Sequence, residues 1–180
     1  MEKIVLHTCC APCASAIIEY LLNQQIEPII YYCNPNIYPI DEYEKRKGEI
    51  TRHAEQLGLT IIDDDYNHEE WQNAVKGLEC EPERGKRCLE CFKYRLNRTA
   101  EWAVRNGYET FTTTLASSRW KLQSQIDEAG LQAEQNHPGS RYWNKNWRKG
   151  GLSERRSQLI KELGFYNQTY CGCEYSMKKP

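Results

Sequence analysis

Nine of the 180 residues are cysteines, and seven of them fall in three short groups: Cys9, Cys10 and Cys13 in "TCCAPC", Cys88 and Cys91 in "RCLEC", and Cys171 and Cys173 in "YCGC". "TCCAPC" follows an apolar run and precedes an amphipathic one, which places it on a strand-to-helix turn. Backbone N–H groups and the positive helix end at such a turn lower thiol pKa values and favour an anionic ligand. Cys88 and Cys91 are three residues apart on a helical segment, so both sulfurs lie on one face. Cys9 with Cys10, and Cys88 with Cys91, therefore offer four thiolates from two places in the chain. Zinc accepts four thiolates, but structural zinc draws on two spaced pairs and adjacent cysteines suit it poorly; an iron-sulfur cluster is larger and takes neighbouring residues on different irons. Cys171 and Cys173 flank a single glycine. A disulfide across so few residues is strained and easily reduced, suited to shuttling electrons, and two unpaired thiols in a turn are the alternative. Cys33 and Cys80 stand alone and read as small buried hydrophobes.

The elements that must position these groups follow from periodicity. Ile4 to Leu6 reads as a short buried strand, and Pro12 opens a helix with Ala14, Ile17, Leu21 and Leu22 on one face. "PIIYYC" reads as a second strand. A charged helix from about Asp41 to Leu57 is closed by Gly58, and a third strand lies around Leu59 to Ile62. A helix near His68 to Leu78 comes next. It precedes a long one through "CLECFKYRLNRTAEWAVRNG" that turns Leu89, Phe92, Leu96, Ala100 and Ala103 inward. "ETFTTTL" is β-branched and reads as another strand. Repeated β-α-β units imply an α/β fold with a mostly parallel sheet and helices on both faces, whose ligands collect at the carboxyl ends of the strands. One domain over residues 1–180 is expected, with an irregular C-terminal extension. The stretch 133–151 is polar, basic and aromatic without a period and reads as a long loop or insertion.

Hydrophobic residues make up 39% and charged residues 27% of the chain, and every apolar run is short, which excludes a membrane span or a largely disordered chain. The apolar stretch before His7 is too short for a signal peptide, so the cytoplasm is expected; thiols there are reduced, which favours metal or redox chemistry over a disulfide framework. A net charge of -1 conceals an asymmetry. Residues 41–70 carry ten acids against four bases, whereas 84–98 and 141–156 each carry six bases and one acid. The two basic stretches interleave with Tyr94, Tyr142, Trp143 and Trp147, a pattern that suits phosphates and unpaired bases. Arg148 and Lys149 are the expected phosphate contacts.

The motifs "HTCCAPC", "YYCNPNIYPIDEYEKR", "RCLECFKYRL", "TTTLASS" and "YNQTYCGCEYS" resemble, in order and across nearly the whole chain, the QueH-type epoxyqueuosine reductases. The resemblance implies an adenine-nucleotide alpha-hydrolase-like fold, a 4Fe-4S cluster with a second iron beside it, and removal of the epoxide oxygen of epoxyqueuosine at the tRNA wobble position to give queuosine. On that footing Cys9, Cys10, Cys88 and Cys91 are cluster ligands, Cys13 a ligand of the additional iron ion, and Cys171 and Cys173 the redox pair. Related nucleotide-binding members of this fold use a glycine-rich loop after strand one to hold phosphates. No glycine precedes Gly48 here, so a thiolate site replaces the phosphate site and ATP use is not expected. Asn34, Asn36, Tyr43 and Arg46 match the family pattern and follow strand two, so they either line the pocket or are ordinary turn and helix residues, and Arg95, on the cluster-bearing helix, faces an anionic centre or a carboxylate. His7 and His53 are candidate proton donors, although a lone histidine is more often structural, and Asp63 to Asp65 read as a solvated acidic loop. The expected partners are tRNA and an electron donor that the sequence does not identify. Two other readings stay open: a zinc-stabilised RNA-binding module without catalysis, which leaves Cys171 and Cys173 idle, and a thiol-disulfide oxidoreductase, which leaves the basic stretches idle.

Overall fold

The computed structural model describes residues Met1–Met177. Five strands, β1 (Glu2–His7), β2 (Ile26–Tyr32), β3 (Ile61–Asp63), β4 (Thr110–Thr113) and β5 (Arg141–Tyr142), form one sheet in the order β3-β2-β1-β4-β5. Every neighbouring pair is parallel, with His7 opposite both Tyr31 and Thr113. Six helices cover it: α1 (Ala11–Asn23), α2 (Ile40–Gln56), α3 (His68–Ala74), α4 (Lys86–Arg105), α5 (Gln123–Asn136) and α6 (Leu152–Leu163). Because β1 to β3 step one way along the sheet and β4 and β5 the other, right-handed crossovers send the two halves to opposite faces. Accordingly α1 packs with α2 and α6, whereas α4 packs with α3 and α5. The order reverses between β1 and β4, and a sheet of this type binds its ligand outside the carboxyl ends of the strands at that crevice.

Local sequence explains the elements that matter to the crevice. Cys10 is the extended residue before α1 (φ −171°, ψ 161°), and Pro12 in the first turn has no N–H to lose there. On α4, Phe92, Leu96, Ala100 and Ala103 are buried at helical spacing, joined by Cys91, Arg95 and Thr99 on the same face. Leu89, expected inward, is only half-buried. Each fully buried Leu or Phe of such a face contributes about 1.5–3 kcal/mol relative to exposure, so the apolar part of α4 fixes where its polar Cys91 and Arg95 point.

Three expectations change. Residues 133–151 are not one loop: α5 runs through Asn136, and Arg141 and Tyr142 pair with Thr110 and Phe111 as the edge strand β5. A strand of two residues is too short for alternation to show. Trp147 and Tyr142 are buried, with the Trp147 indole donating to Thr112 Oγ1 at 3.2 Å, so neither is a surface ring for bases. The acidic run is also structural: Asp64 accepts two bonds from Arg98 at 2.6 and 2.8 Å, and Asp63 accepts from the Tyr43 hydroxyl and Lys47. Among the described residues, no helix is long and apolar enough to cross a membrane.

Candidate metal centre at the strand-order crevice

Cys9 and Cys10 follow β1 directly, and Cys13 lies one turn into α1. Their three sulfurs all lie within 4.8 Å of one another, all three residues are buried, and the Cys9 and Cys10 sulfurs are 3.7 Å apart. Across the crevice, Thr114 after β4 accepts the Cys9 backbone N–H at 3.1 Å and places its hydroxyl 3.3 Å from the Cys9 sulfur. Donors from Cys10 and Cys13 hold the Cys9 thiol well below its ordinary pKa, with Lys121 and Arg95 assisting against burial. Burial, reinforced by the neighbouring thiols, pushes Cys10 well up. The triad therefore favours one thiolate stabilised by two thiols, a donor set ready for a metal that displaces the remaining protons.

The other thiols gather on the far wall. Cys88 and Cys91 sit in the first two turns of α4, Cys91 buried and Cys88 half-buried. Burial, followed by the nearby charges of Cys91, Cys171 and Cys173, raises the Cys88 thiol to about 11 although the Arg84 N–H opposes this. Among the described residues, only Cys9, Cys10 and Cys13 meet as a group of three close ligand atoms. Cys88 and Cys91 lie outside that close group.

Two buried cations occupy the space between the thiol groups. Arg95 reaches the Cys91 sulfur at 3.8 Å, the Cys33 carbonyl at 3.3 Å and the Asn34 side-chain oxygen. Lys121 is the one lysine buried among the described residues, 6% exposed, and its ammonium bonds only Ser118 Oγ at 3.3 Å. Burial works against that charge, yet the thiols of Cys171, Cys9 and Cys13 raise the lysine above its ordinary pKa. A buried ammonium without a carboxylate is costly. Thiolates or an anionic cluster are the counter-charge this site provides, and on that donor chemistry the residues fit an iron-sulfur centre.

Among the remaining expected site residues, Asn34, Tyr43 and Arg46 make their contacts within the protein. Asn34 donates to the Thr8 carbonyl at 2.8 Å, Tyr43 packs on Tyr66 at 4.3 Å between ring centroids, and Arg46 donates to the carbonyls of Cys171 and Tyr170 at 2.9 and 3.2 Å. Tyr38 N–H adds a bond to the Gly172 carbonyl, and His68 and Gln72 hold the Glu174 carboxylate. These contacts strap "YCGCE" against the loop after β2 and against α2 and α3. Gly172 needs its freedom: φ is +142°, and a Cβ would lie 3.2 Å from Arg46 Nη1 and Ile37 Cγ1. Cys171 and Cys173 are unpaired thiols in this structure, half-buried and buried respectively. Asn36 is buried with an unpartnered side-chain oxygen. Arg148 donates to the carbonyls of Lys121 at 2.9 Å and Ala116 at 3.4 Å, whereas Lys149 is exposed. Cys33 is buried as expected, but Cys80 is exposed.

Neither candidate histidine is placed as a proton donor. His7 spends both ring nitrogens on Thr113 Oγ1 at 2.8 Å and the Cys33 carbonyl at 3.0 Å, and burial, with Arg95 adding, lowers it to about 3. His53 packs edge-on against Phe165, and burial lowers its pKa. A depressed folded pKa means that the unfolded chain binds the proton first. The stability from His53 is complete above its ordinary 6.5 and is lost as the pH falls through and below that value. The unfolding temperature should therefore drop on acidification from neutrality, and His53→Gln should shallow that slope. An unaltered slope in this variant would remove His53 from the acid sensitivity.

The comparisons with known proteins bear on this geometry. The sequence model described as Epoxyqueuosine reductase QueH matches residues 4–179. The chain belongs to the QueH family. It is 44% identical over 177 residues to the epoxyqueuosine reductase QueH of Acinetobacter baylyi, covering 98% of this chain and 81% of that one. The Haemophilus influenzae QueH is 45% identical, covering 98% and 72%, and that of Thermotoga maritima 37%, covering 98% and 91%. Among solved structures, the U34-tRNA thiolase NcsA from Methanococcus maripaludis, with its [4Fe-4S] cluster, aligns with TM-score 0.56 at 13% identity, covering 97% of this chain and 61% of that one. A predicted subunit of a tRNA methyltransferase from Methanocaldococcus jannaschii aligns with TM-score 0.59 at 14% identity and 99% coverage of both. At these identities the two likenesses speak to the fold alone, a parallel α/β sheet covered by helices.

Sequence reasoning did not single out Thr114, Ser118, Lys121, Arg156 or Gln168 at this crevice. "TTTLASS" and "YNQTYCGCEYS" carried three of them as part of the family pattern, but nothing in "SRWK" marks a lysine that folds inward.

Proposed function

We propose that this QueH family member is an epoxyqueuosine reductase, an oxidoreductase acting on tRNA: the epoxide takes up two electrons and two protons, both carbon–oxygen bonds break, and an alkene and water leave. The observation that carries the reading is near-full-length identity of 44–45% to epoxyqueuosine reductases in a chain whose strand-order crevice is lined with thiols. Cys9, Cys10, Cys88 and Cys91 would hold a 4Fe-4S cluster and Cys13 an additional iron ion. Bound there, these groups supply single electrons and a Lewis-acid position for the departing oxygen.

The chain's own residues supply the rest. Arg95 and Lys121 set fixed positive charge beside the thiols, in a site dry enough for that charge to act strongly. Cys171 and Cys173, held by Arg46 and Tyr38 at the same end of the sheet, are the redox pair that delivers the two electrons. The test is digestion of tRNA carrying epoxyqueuosine after anaerobic incubation with protein and a chemical reductant. Queuosine should appear; persistence of epoxyqueuosine with iron- and sulfide-replete protein would overturn the reading. A colourless zinc protein without sulfide would support an RNA-binding module instead.

Binding of tRNA should weaken with salt. Lys149→Ala should reduce the slope of log affinity against log salt by about 1 and leave iron content unchanged. Arg148→Ala should also loosen the segment after Ala116, since its guanidinium is bonded to that backbone. A Lys149→Ala protein with the wild-type slope would move the RNA face toward Lys86 and its neighbours on α4.

A further inference from the structure

A cleft of about 160 Å³ opens beside the cysteine triad, its walls including Arg119 and Trp120 after β4, Arg156 and Ser157 on α6, and Asn167 and Gln168 from the C-terminal segment. Two of those side chains touch the thiols: Arg156 Nη2 lies 3.8 Å from the Cys13 sulfur, and the Gln168 amide nitrogen donates to the Cys10 sulfur. Arg156 and Gln168 thus stand between the cleft and the cysteine triad. Its lining is mostly polar, and neither Arg119 nor Arg156 has a carboxylate partner among the described residues.

Gln168 is incomplete as it stands. The residue is 6% exposed, its nitrogen is spent on Cys10, and its side-chain oxygen is buried with no hydrogen-bond partner. A buried acceptor left unmet costs about 1–3 kcal/mol, and native proteins leave few of them without a reason. Gln125 also has an orphaned oxygen, but it borders a closed space of only about 10 Å³ against Cys88 and Cys171, too small for more than a single water. Gln168 instead lines a cleft with room for a ligand.

The geometry points to Gln168 as the residue that recognises the substrate's modified group: its side-chain oxygen accepts a hydrogen bond from a hydroxyl on the epoxide-bearing ring as that ring enters the cleft. This rests on the reading of the chain as an epoxyqueuosine reductase and adds how the modified nucleoside is distinguished. The nitrogen of the same amide stays on Cys10, so recognition and the metal-binding thiol share one side chain. A site built to bond a hydroxyl discriminates strongly against a ligand lacking it, because the buried acceptor is then left unpaired. Trp120 and the two arginines suit a base taken out of its stack and its phosphates.

The experiment measures binding of two tRNAs of the same sequence, one with epoxyqueuosine and one with unmodified guanosine at the wobble position, to wild-type protein and to two variants. Gln168→Met removes the acceptor at similar volume, and Ser157→Phe, at an exposed position, fills the cleft without touching Cys10. Wild-type protein should prefer the modified tRNA. Each variant should lose that preference by about tenfold or more, with affinity for unmodified tRNA unchanged and, in Ser157→Phe, with iron content and visible spectrum unchanged. Wild-type preference in Ser157→Phe would overturn the proposal, as would equal weakening of both tRNAs by Gln168→Met with its iron retained. If Gln168→Met loses iron, the Ser157→Phe result decides. A wild-type protein that converts epoxyqueuosine while both variants keep the preference refutes the role of Gln168 alone; one that neither prefers nor converts it refutes the functional reading and this proposal together.

Discussion

Cys10→Ala and Cys88→Ala proteins, purified anaerobically, should each lose most of their bound iron and, with it, all measurable epoxide reduction. The two residues sit on opposite walls of the crevice, one at the start of α1 and one in the first turn of α4. Cys10 is fully buried against Cys9, so alanine takes one thiol out of the clustered triad. Removing a mere hydrogen-bond partner of a ligand costs roughly 10–100-fold in metal affinity, and removing the ligand itself should cost more. Cys80→Ala, at an exposed position away from the groups, is the control that should keep its iron. Iron and sulfide analysis on the three proteins separates the cases. Full iron with normal turnover in Cys10→Ala or Cys88→Ala would strike that cysteine from the ligand set.

The second large effect is expected at the opposite end of the chain. Cys171→Ser and Cys173→Ser should each retain iron and bind tRNA normally, yet stop after the electrons already stored have been used. Both thiols are strapped beside Cys88 and Cys91 by backbone contacts from Arg46 and Tyr38, contacts that a serine preserves. Serine keeps the shape and loses the redox chemistry. Iron content, tRNA affinity and turnover measured on one preparation assign the role: lost iron makes these residues ligands, and wild-type multiple turnover makes them bystanders.

Much of this site was legible in the sequence because its anchors lie where periodicity changes. The switch from the apolar run of β1 to the helical spacing of α1 located Cys9 to Cys13, and the inward positions Phe92, Leu96 and Ala100 fixed the face of α4 that carries Cys91 and Arg95. Residues whose roles depend on contacts distant in sequence were not readable. Lys121 looks like any surface lysine until β4 and the segment after it deliver it among thiols that lie up to 112 residues away in the chain. Trp147 and Tyr142 read as surface aromatics because basic neighbours flank them, yet the Trp147 indole bonds Thr112 on β4 and the Tyr142 ring lies against Gly130 of α5. Edge strand β5 offers two residues, a single alternation. The polar Asn34 and Arg46 read as pocket residues; what the sequence did not reveal is that Asn34 joins the Thr8 carbonyl to Arg95 and that Arg46 joins Glu42 to the carbonyls of Cys171 and Tyr170 in the C-terminal strap.

The most direct test of the thiolate centre as the seat of reduction uses one preparation in three states: metal-free, reconstituted with iron and sulfide, and loaded with zinc. Each is given a chemical reductant and tRNA carrying epoxyqueuosine, and the nucleosides are identified by mass after digestion. Queuosine, lighter than its precursor by one oxygen, should form only with the iron- and sulfide-reconstituted protein. Equal conversion by the metal-free or zinc-loaded protein would contradict the account.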